Sequence, residues 1–164
     1  MILIALGANL PSRYGNPEET FSAVLAELPR RGVEVLKVSR IIVTRPVPAS
    51  DQPDYRNGVV SVATKLAVRD LHALLKTIER EFGREEGLEW NAARVLDLDL
   101  LAYNRTVIAE KGLQVPHARM HQRDFVLGPL CEIAQEWEHP VLKQTASQLF
   151  HSLPEKVSRE TEAA

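Results

Sequence analysis

Two carboxylates, two residues apart, interrupt an apolar run: Arg94 to Leu101 reads RVLDLDLL. Asp is depleted in strands, and like charges sharing one face repel. Side chains alternate along an extended chain, so Asp97 and Asp99 project to one face while Leu96, Leu98 and Leu100 project to the other. One reading is a half-exposed strand whose polar face is acidic. Val95 and Leu101 favour a second reading, because they make the Asp face apolar at both ends. Two ionised groups in such a setting call for a cation. Same-face residues lie about 6.5–7 Å apart at the backbone, and their carboxylates can converge on a metal. Oxygen ligands of this kind suit Mg²⁺, which takes one or two carboxylates plus waters and phosphate oxygens. Two such ions about 4 Å apart could clamp the phosphates of a nucleotide. Arg94, three residues before Asp97, could reach the same anion.

Other residue groupings allow two readings each. Val115 to Arg123 holds His117, Arg119, His121 and Arg123. It is either a solvated loop or a phosphate cradle, since Arg offers a planar fork of donors to phosphate oxygens. Pro116 argues against a helical metal site built from the two histidines. Tyr55 and Asn57 share a face of an extended segment, where a ring can stack on a flat heterocycle and an amide can both donate and accept. A cross-strand Tyr beside an edge Asn accounts for the same pattern, and Phe125 reads as core. Cys131 lies in an apolar stretch and reads as packing. Neither a GxxxxGK[ST] phosphate loop nor a Gly-x-Ser-x-Gly elbow occurs.

The 164 residues suffice for one domain, expected over residues 1–154 with a frayed tail from 155 to 164. Hydrophobic residues make up 45% and charged ones 26%, the balance of a soluble globular protein. A formal net charge of −2 argues against general binding to nucleic acid or to an anionic membrane. The single cysteine excludes an intrachain disulfide and favours a reducing compartment. Residues 1–6 are too short for a signal peptide, and no run approaches the roughly 20 apolar residues of a membrane span. The expectation is a cytoplasmic domain.

The elements that must position these side chains follow from periodicity. Residues 1–6 read as a strand. Asn16-Pro17-Glu18-Glu19 opens a helix, with Asn as N-cap, Pro at the first position and Glu three after the cap. Residues 33–44 read as one long strand, 44–53 as a proline-stiffened loop and 55–66 as a third strand. Leu71 to Phe82 forms a second helix ending near Gly83. Residues 84–92 are a polar loop, expected to act as a mobile lid. RVLDLDLL is the fourth strand, a short strand follows near 103–108, and helices are expected over 125–134 and 146–153. The order β-α-β-β-α-β with additional C-terminal helices predicts an α/β, ferredoxin-like sandwich with an antiparallel sheet.

Five stretches carry a family resemblance: GANL at 7–10, DQPDYRN at 51–57, ARVLDLDLL at 93–101, VPH at 115–117 and RDFVLGPLCEIA at 123–134. They resemble 6-hydroxymethyl-7,8-dihydropterin pyrophosphokinase of folate biosynthesis. The resemblance implies a ferredoxin-like fold that binds ATP with two Mg²⁺ and transfers pyrophosphate to the pterin hydroxymethyl group, releasing AMP. It implies Asp97 and Asp99 as metal ligands, catalytic together with Arg84 and Arg94. It implies that Tyr55 and Phe125 sandwich the pterin, Asn57 bonds its pyrimidine edge, and backbone around Thr44 and Val47 reads the rest. Glu79, Arg84, Arg94, His117 and Arg123 fall to the ATP side, with Lys76 where the family carries Gln or a similar residue. The sequence departs from the family at Trp90-Asn91-Ala92-Ala93, where Trp stands one position early, in the acidic stretch 85–89, and at Ala118. The chain is expected to work as a monomer on ATP and the pterin, both small molecules, with no nucleic-acid or membrane partner. The alternative is a non-catalytic pterin- or nucleotide-binding module on the same fold.

Overall fold

A computed structural model of the chain describes residues 1–46, 49–85, 87, 92–154 and the backbone of 161–162. The Val47 contact, most of the expected lid (Glu86 and 88–91) and the tail residues 155–160 and 163–164 lie outside the described residues.

An antiparallel sheet carries helices on both faces. Its strands are β1 (Ile2–Ala8), β2 (Val33–Val38), β3 (Ile42–Thr44), β4 (Tyr55–Thr64) and β5 (Asp97–Tyr103), joined by β8 (Thr161–Glu162) beside β3. The strand order is β5-β1-β4-β3-β8, and β2 also pairs with β4. Part of the expected frayed tail therefore continues the sheet. A separate hairpin joins β6 (Ile108–Glu110) to β7 (Leu113–Val115).

The helices are α1 (Pro17–Arg30), α2 (Val68–Glu81), α3 (Asp124–Ala134) and α4 (Ala146–His151). The first begins as its sequence dictates. The Asn16 side chain accepts from the Glu19 N–H at 2.9 Å, and Glu19 accepts in return from the Asn16 N–H at 3.1 Å.

Strand alternation divides the core in two. Ile2, Ile4, Leu6, Leu98 and Leu100 pack with Phe21, Val24 and Leu28 of α1 and with Leu71, Leu75 and Ile78 of α2. On the opposite face Leu3, Val59 and Leu101 pack with Val126, Leu127 and Leu130 of α3 and Leu149 of α4. The central strand β4 is buried on both faces, which hides the simple alternation expected of it.

The long strand expected over 33–44 is broken at Ser39. Its hydroxyl accepts from the Val59 N–H at 2.9 Å and donates to the Arg40 carbonyl at 2.8 Å. A side chain thus replaces a ladder bond, and a register shift between Val35 and Lys37 precedes it. Among the described residues no helix is long and apolar enough to cross a membrane.

Candidate active site

Asp97 and Asp99 lie on the α3/α4 face of the sheet, beyond the area those helices cover. Cross-strand register sets their neighbours. Asp97 pairs with Gly7, which pairs with Asn57, while Asp99 pairs with Ala5, which pairs with Val59. The floor between the carboxylates and Asn57 is therefore built from the smallest residues. A Cβ on Gly7 would stand 3.4 Å from Asn57 Oδ1 and 3.7 Å from Asp97 Cβ, filling the space between them. Over this floor opens a cleft of about 880 Å³, solvent at its mouth included, whose walls include Thr44, Tyr55, Arg94, Arg123 and Phe125.

The free edge of β5 is clamped by α2. Glu79 Oε2 accepts from the Leu98 N–H at 2.6 Å, and Lys76 Nζ donates to the Leu98 carbonyl at 3.1 Å. Lys76 and Glu79 stand three apart on one helix face, so together they satisfy both outward backbone groups of the residue between the two aspartates. Arg84 then bridges Glu79 Oε2 at 2.8 Å and Asp97 Oδ1 at 2.6 Å. Lys76 Nζ also lies 3.9 Å from Asp99 Oδ1.

Burial holds the Glu79 carboxyl above its ordinary value, against the pull of Lys76, the Leu98 N–H and Arg84. Burial and then the Asp99 charge raise Asp97 likewise, opposed by Arg84 and Lys76. The two aspartates are an anion pair under strain, partly relieved by an arginine and a lysine.

On the far side, the Asn57 amide donates to Thr44 Oγ1 at 2.8 Å. The Tyr55 hydroxyl lies 3.0 Å from the Ala92 carbonyl, and burial raises its pKa. Phe125 enters from the first turn of α3, with the Arg123 guanidinium 5.5 Å from its ring centre. Arg94 is buried, its backbone N–H donating to Asn9 Oδ1 at 2.8 Å.

A second recess adjoins Asp99, bounded by His72, Lys76, Gln114 and His117. Burial, then Arg123, lowers the His117 pKa to about 4. Its Nδ1 accepts from the Arg119 N–H at 3.2 Å, so at neutral pH the ring is uncharged and Nε2 carries the proton.

Of the residues singled out from sequence, Thr44, Tyr55, Asn57, Arg94, Asp97, Asp99, Arg123 and Phe125 line one cleft. Lys76 and His117 line the recess that shares Asp99 with it. Arg84 joins them through Asp97, and Glu79 sits behind them, only 2% exposed. Sequence reasoning assigned no part to Gly7 or Asn9, which appeared only inside the GANL stretch, nor to His72, which nothing in the pattern marks.

Among the described residues no group of three or more His, Cys, Asp or Glu could hold a metal by itself. Two same-face carboxylates fit Mg²⁺ when phosphate oxygens and water complete its shell, the coordination this ion favours.

Comparison with known proteins identifies the family. Residues 3–135 match the family model described as 7,8-dihydro-6-hydroxymethylpterin-pyrophosphokinase (HPPK). The chain is 42% identical over 137 residues to the 2-amino-4-hydroxy-6-hydroxymethyldihydropteridine pyrophosphokinase of Bacillus subtilis, covering 82% of this chain and 78% of that protein. It is 39% identical over 132 residues to a mitochondrial folate synthesis bifunctional protein of Arabidopsis thaliana, covering 80% of this chain but 23% of that longer protein. The fold is similar to the solved Plasmodium falciparum HPPK-DHPS, with a TM-score of 0.66 at 15% identity, over 92% of this chain and 43% of the other. The chain belongs to the 7,8-dihydro-6-hydroxymethylpterin-pyrophosphokinase family.

Proposed function

We propose that the chain transfers the β,γ-pyrophosphate of ATP to the hydroxymethyl group of 6-hydroxymethyl-7,8-dihydropterin, releasing AMP, in folate synthesis. One observation carries this reading. The same-face pair Asp97 and Asp99 shares a single cleft with the aromatic rings of Tyr55 and Phe125 and the amide of Asn57. Asp97 and Asn57 flank one glycine, Gly7, in the sheet register, so a metal-polyphosphate site and a heterocycle site would meet across it.

In this reading the substrate hydroxyl oxygen bonds to the β-phosphorus. The bond from that phosphorus to the α,β-bridging oxygen breaks, its electron pair leaves with AMP, and the hydroxyl proton ends in solvent. Asp97 and Asp99 would hold two Mg²⁺, which neutralise polyphosphate charge and align the reacting oxygens. Arg84, Arg94 and Arg123 offer guanidinium donors to the phosphates, and neutral His117 offers an Nε2 proton. Tyr55 and Phe125 flank the ring, with Asn57 at its edge and backbone near Thr44 alongside. Lys76 and Glu79 hold the β5 edge, and Lys76, 3.9 Å from Asp99 and lining the adjoining recess, offers a positive charge on the nucleotide side.

The strand order, with β2 and β3 together as one broken second strand, supports a ferredoxin-like topology for a single domain, to whose sheet residues 161–162 add a further strand. A cytoplasmic monomer suits the single cysteine and the modest net charge. Mixing the protein with ATP, Mg²⁺ and the reduced pterin and measuring AMP release tests the reading. Release that depends on all three supports it. Binding of both ligands without AMP release would make the chain the non-catalytic module instead.

A further inference from the structure

Asn9 takes no part in the chemistry above, yet its side chain joins the two halves of the cleft. It is 3% exposed, immediately after β1. Its Oδ1 accepts from the Arg94 N–H at 2.8 Å, and its Nδ2 donates to Gln52 Oε1 at 3.1 Å and to the Pro53 carbonyl at 3.0 Å. The backbone N–H groups of Asn9 and Leu10 both donate to the Arg94 carbonyl at 3.0 Å. Gln52 Oε1 lies 3.3 Å from the Tyr55 hydroxyl, which also reaches the Ala92 carbonyl at 3.0 Å. Segments 52–55 and 92–94, some 40 residues apart in sequence, are thus fastened to one amide.

The first segment carries the ring-stacking Tyr55, and the second carries Arg94 and leads into the aspartates. An amide suits this post because it donates and accepts at once. Ala would leave the buried Arg94 N–H without this acceptor and the Pro53 carbonyl without this donor. Asp would keep the acceptor and lose the donor.

We infer that Asn9 is a positioning residue that ties the pterin-side loop to the Arg94 segment, so that ring and polyphosphate reinforce each other's binding. The inference rests on the proposed pyrophosphokinase reading. A side chain serving only to cap β1 would change stability and leave that coupling alone. Coupling between two ligands is a ratio of affinities, measurable apart from turnover.

The experiment titrates 6-hydroxymethyl-7,8-dihydropterin into wild type, Asn9→Ala, Asn9→Asp and Gln52→Ala. Each titration is run with and without saturating Mg²⁺ and α,β-methylene-ATP, whose α,β-bridge cannot break. In wild type the nucleotide tightens pterin binding. Asn9→Ala brings that enhancement to within about twofold of none and lowers kcat about tenfold or more, the scale of an orphaned buried donor. Asn9→Asp keeps the Arg94 bond, so it raises the pterin KM and retains more of kcat than Asn9→Ala. An enhancement unchanged in folded Asn9→Ala, or absent from wild type, overturns the inference. Should Asn9→Ala fail to fold, Asn9→Asp and Gln52→Ala decide by the same ratio. AMP release by wild type is a separate readout: its absence with coupling intact refutes the reading of function and spares the tie at Asn9.

Discussion

Replacing Glu79 by alanine removes the one carboxylate that faces the Leu98 N–H, Lys76 and Arg84 together, at 2.6, 3.2 and 2.8 Å. The Leu98 N–H would be left buried at the sheet edge, and an unsatisfied buried group costs about 1–3 kcal/mol. Breaking a fully buried ion pair costs about 3–5 kcal/mol. Lys76 and Arg84 are 32% and 24% exposed and keep Asp99 and Asp97 as partners, so the charge part is smaller here. Against it, Glu79 no longer carries the desolvation that raises its pKa. The balance is a loss of about 3 kcal/mol, or about 6–12 °C in Tm for a domain of this size. Glu79→Gln keeps an acceptor for Leu98 and loses only charge, so it should cost about 1 kcal/mol. Thermal unfolding followed by circular dichroism, without nucleotide or Mg²⁺, reads both values. Should Glu79→Ala melt within about 1 °C of wild type while ATP affinity falls, Glu79 is a direct nucleotide ligand and the clamp on β5 is refuted.

Asp97→Asn should abolish AMP release yet leave Tm unchanged or higher without Mg²⁺, because burial and Asp99 disfavour the anion more than Arg84 favours it. Near-normal turnover of this variant at saturating Mg²⁺ would contradict the metal assignment. Asn57→Ala should weaken pterin binding by about 1–3 kcal/mol and leave ATP binding little changed; calorimetry with each ligand separately decides, and equal losses would remove Asn57 from the pterin side. His117 supplies a pH test. Its native pKa of about 4 lies below the ordinary 6.5, so between these values the unfolded chain binds more protons and stability rises with pH. The stability of wild type relative to His117→Gln should therefore increase by about 1–3 kcal/mol from pH 4 to 6.5. Urea unfolding across that range measures it, and a flat difference contradicts the burial of the ring.

The pair Asp97/Asp99 was legible because it violates strand composition, and its facing followed from alternation alone. The start of α1 was legible for a similar reason, since Asn16 and Glu19 satisfy each other locally. The break at Ser39 was not, because it depends on the distant Val59 N–H, and Val and Ile on both sides read as one strand. Glu79 and Lys76 could be placed on α2 by periodicity. That they clamp Leu98 depends on β5 being a sheet edge, which only the strand order reveals. Asn9 was hidden for the same reason. Each of its partners lies more than 40 residues away, and a loop Asn carries no periodicity.

Product analysis of a single reaction reaches the central claim most directly. Protein, Mg²⁺, 6-hydroxymethyl-7,8-dihydropterin and ATP labelled at the β-phosphorus are incubated together, and the products are separated. Transfer of pyrophosphate predicts unlabelled AMP and labelled pterin diphosphate in equal amounts. Formation of ADP with a pterin monophosphate, or of neither pterin ester, would contradict it.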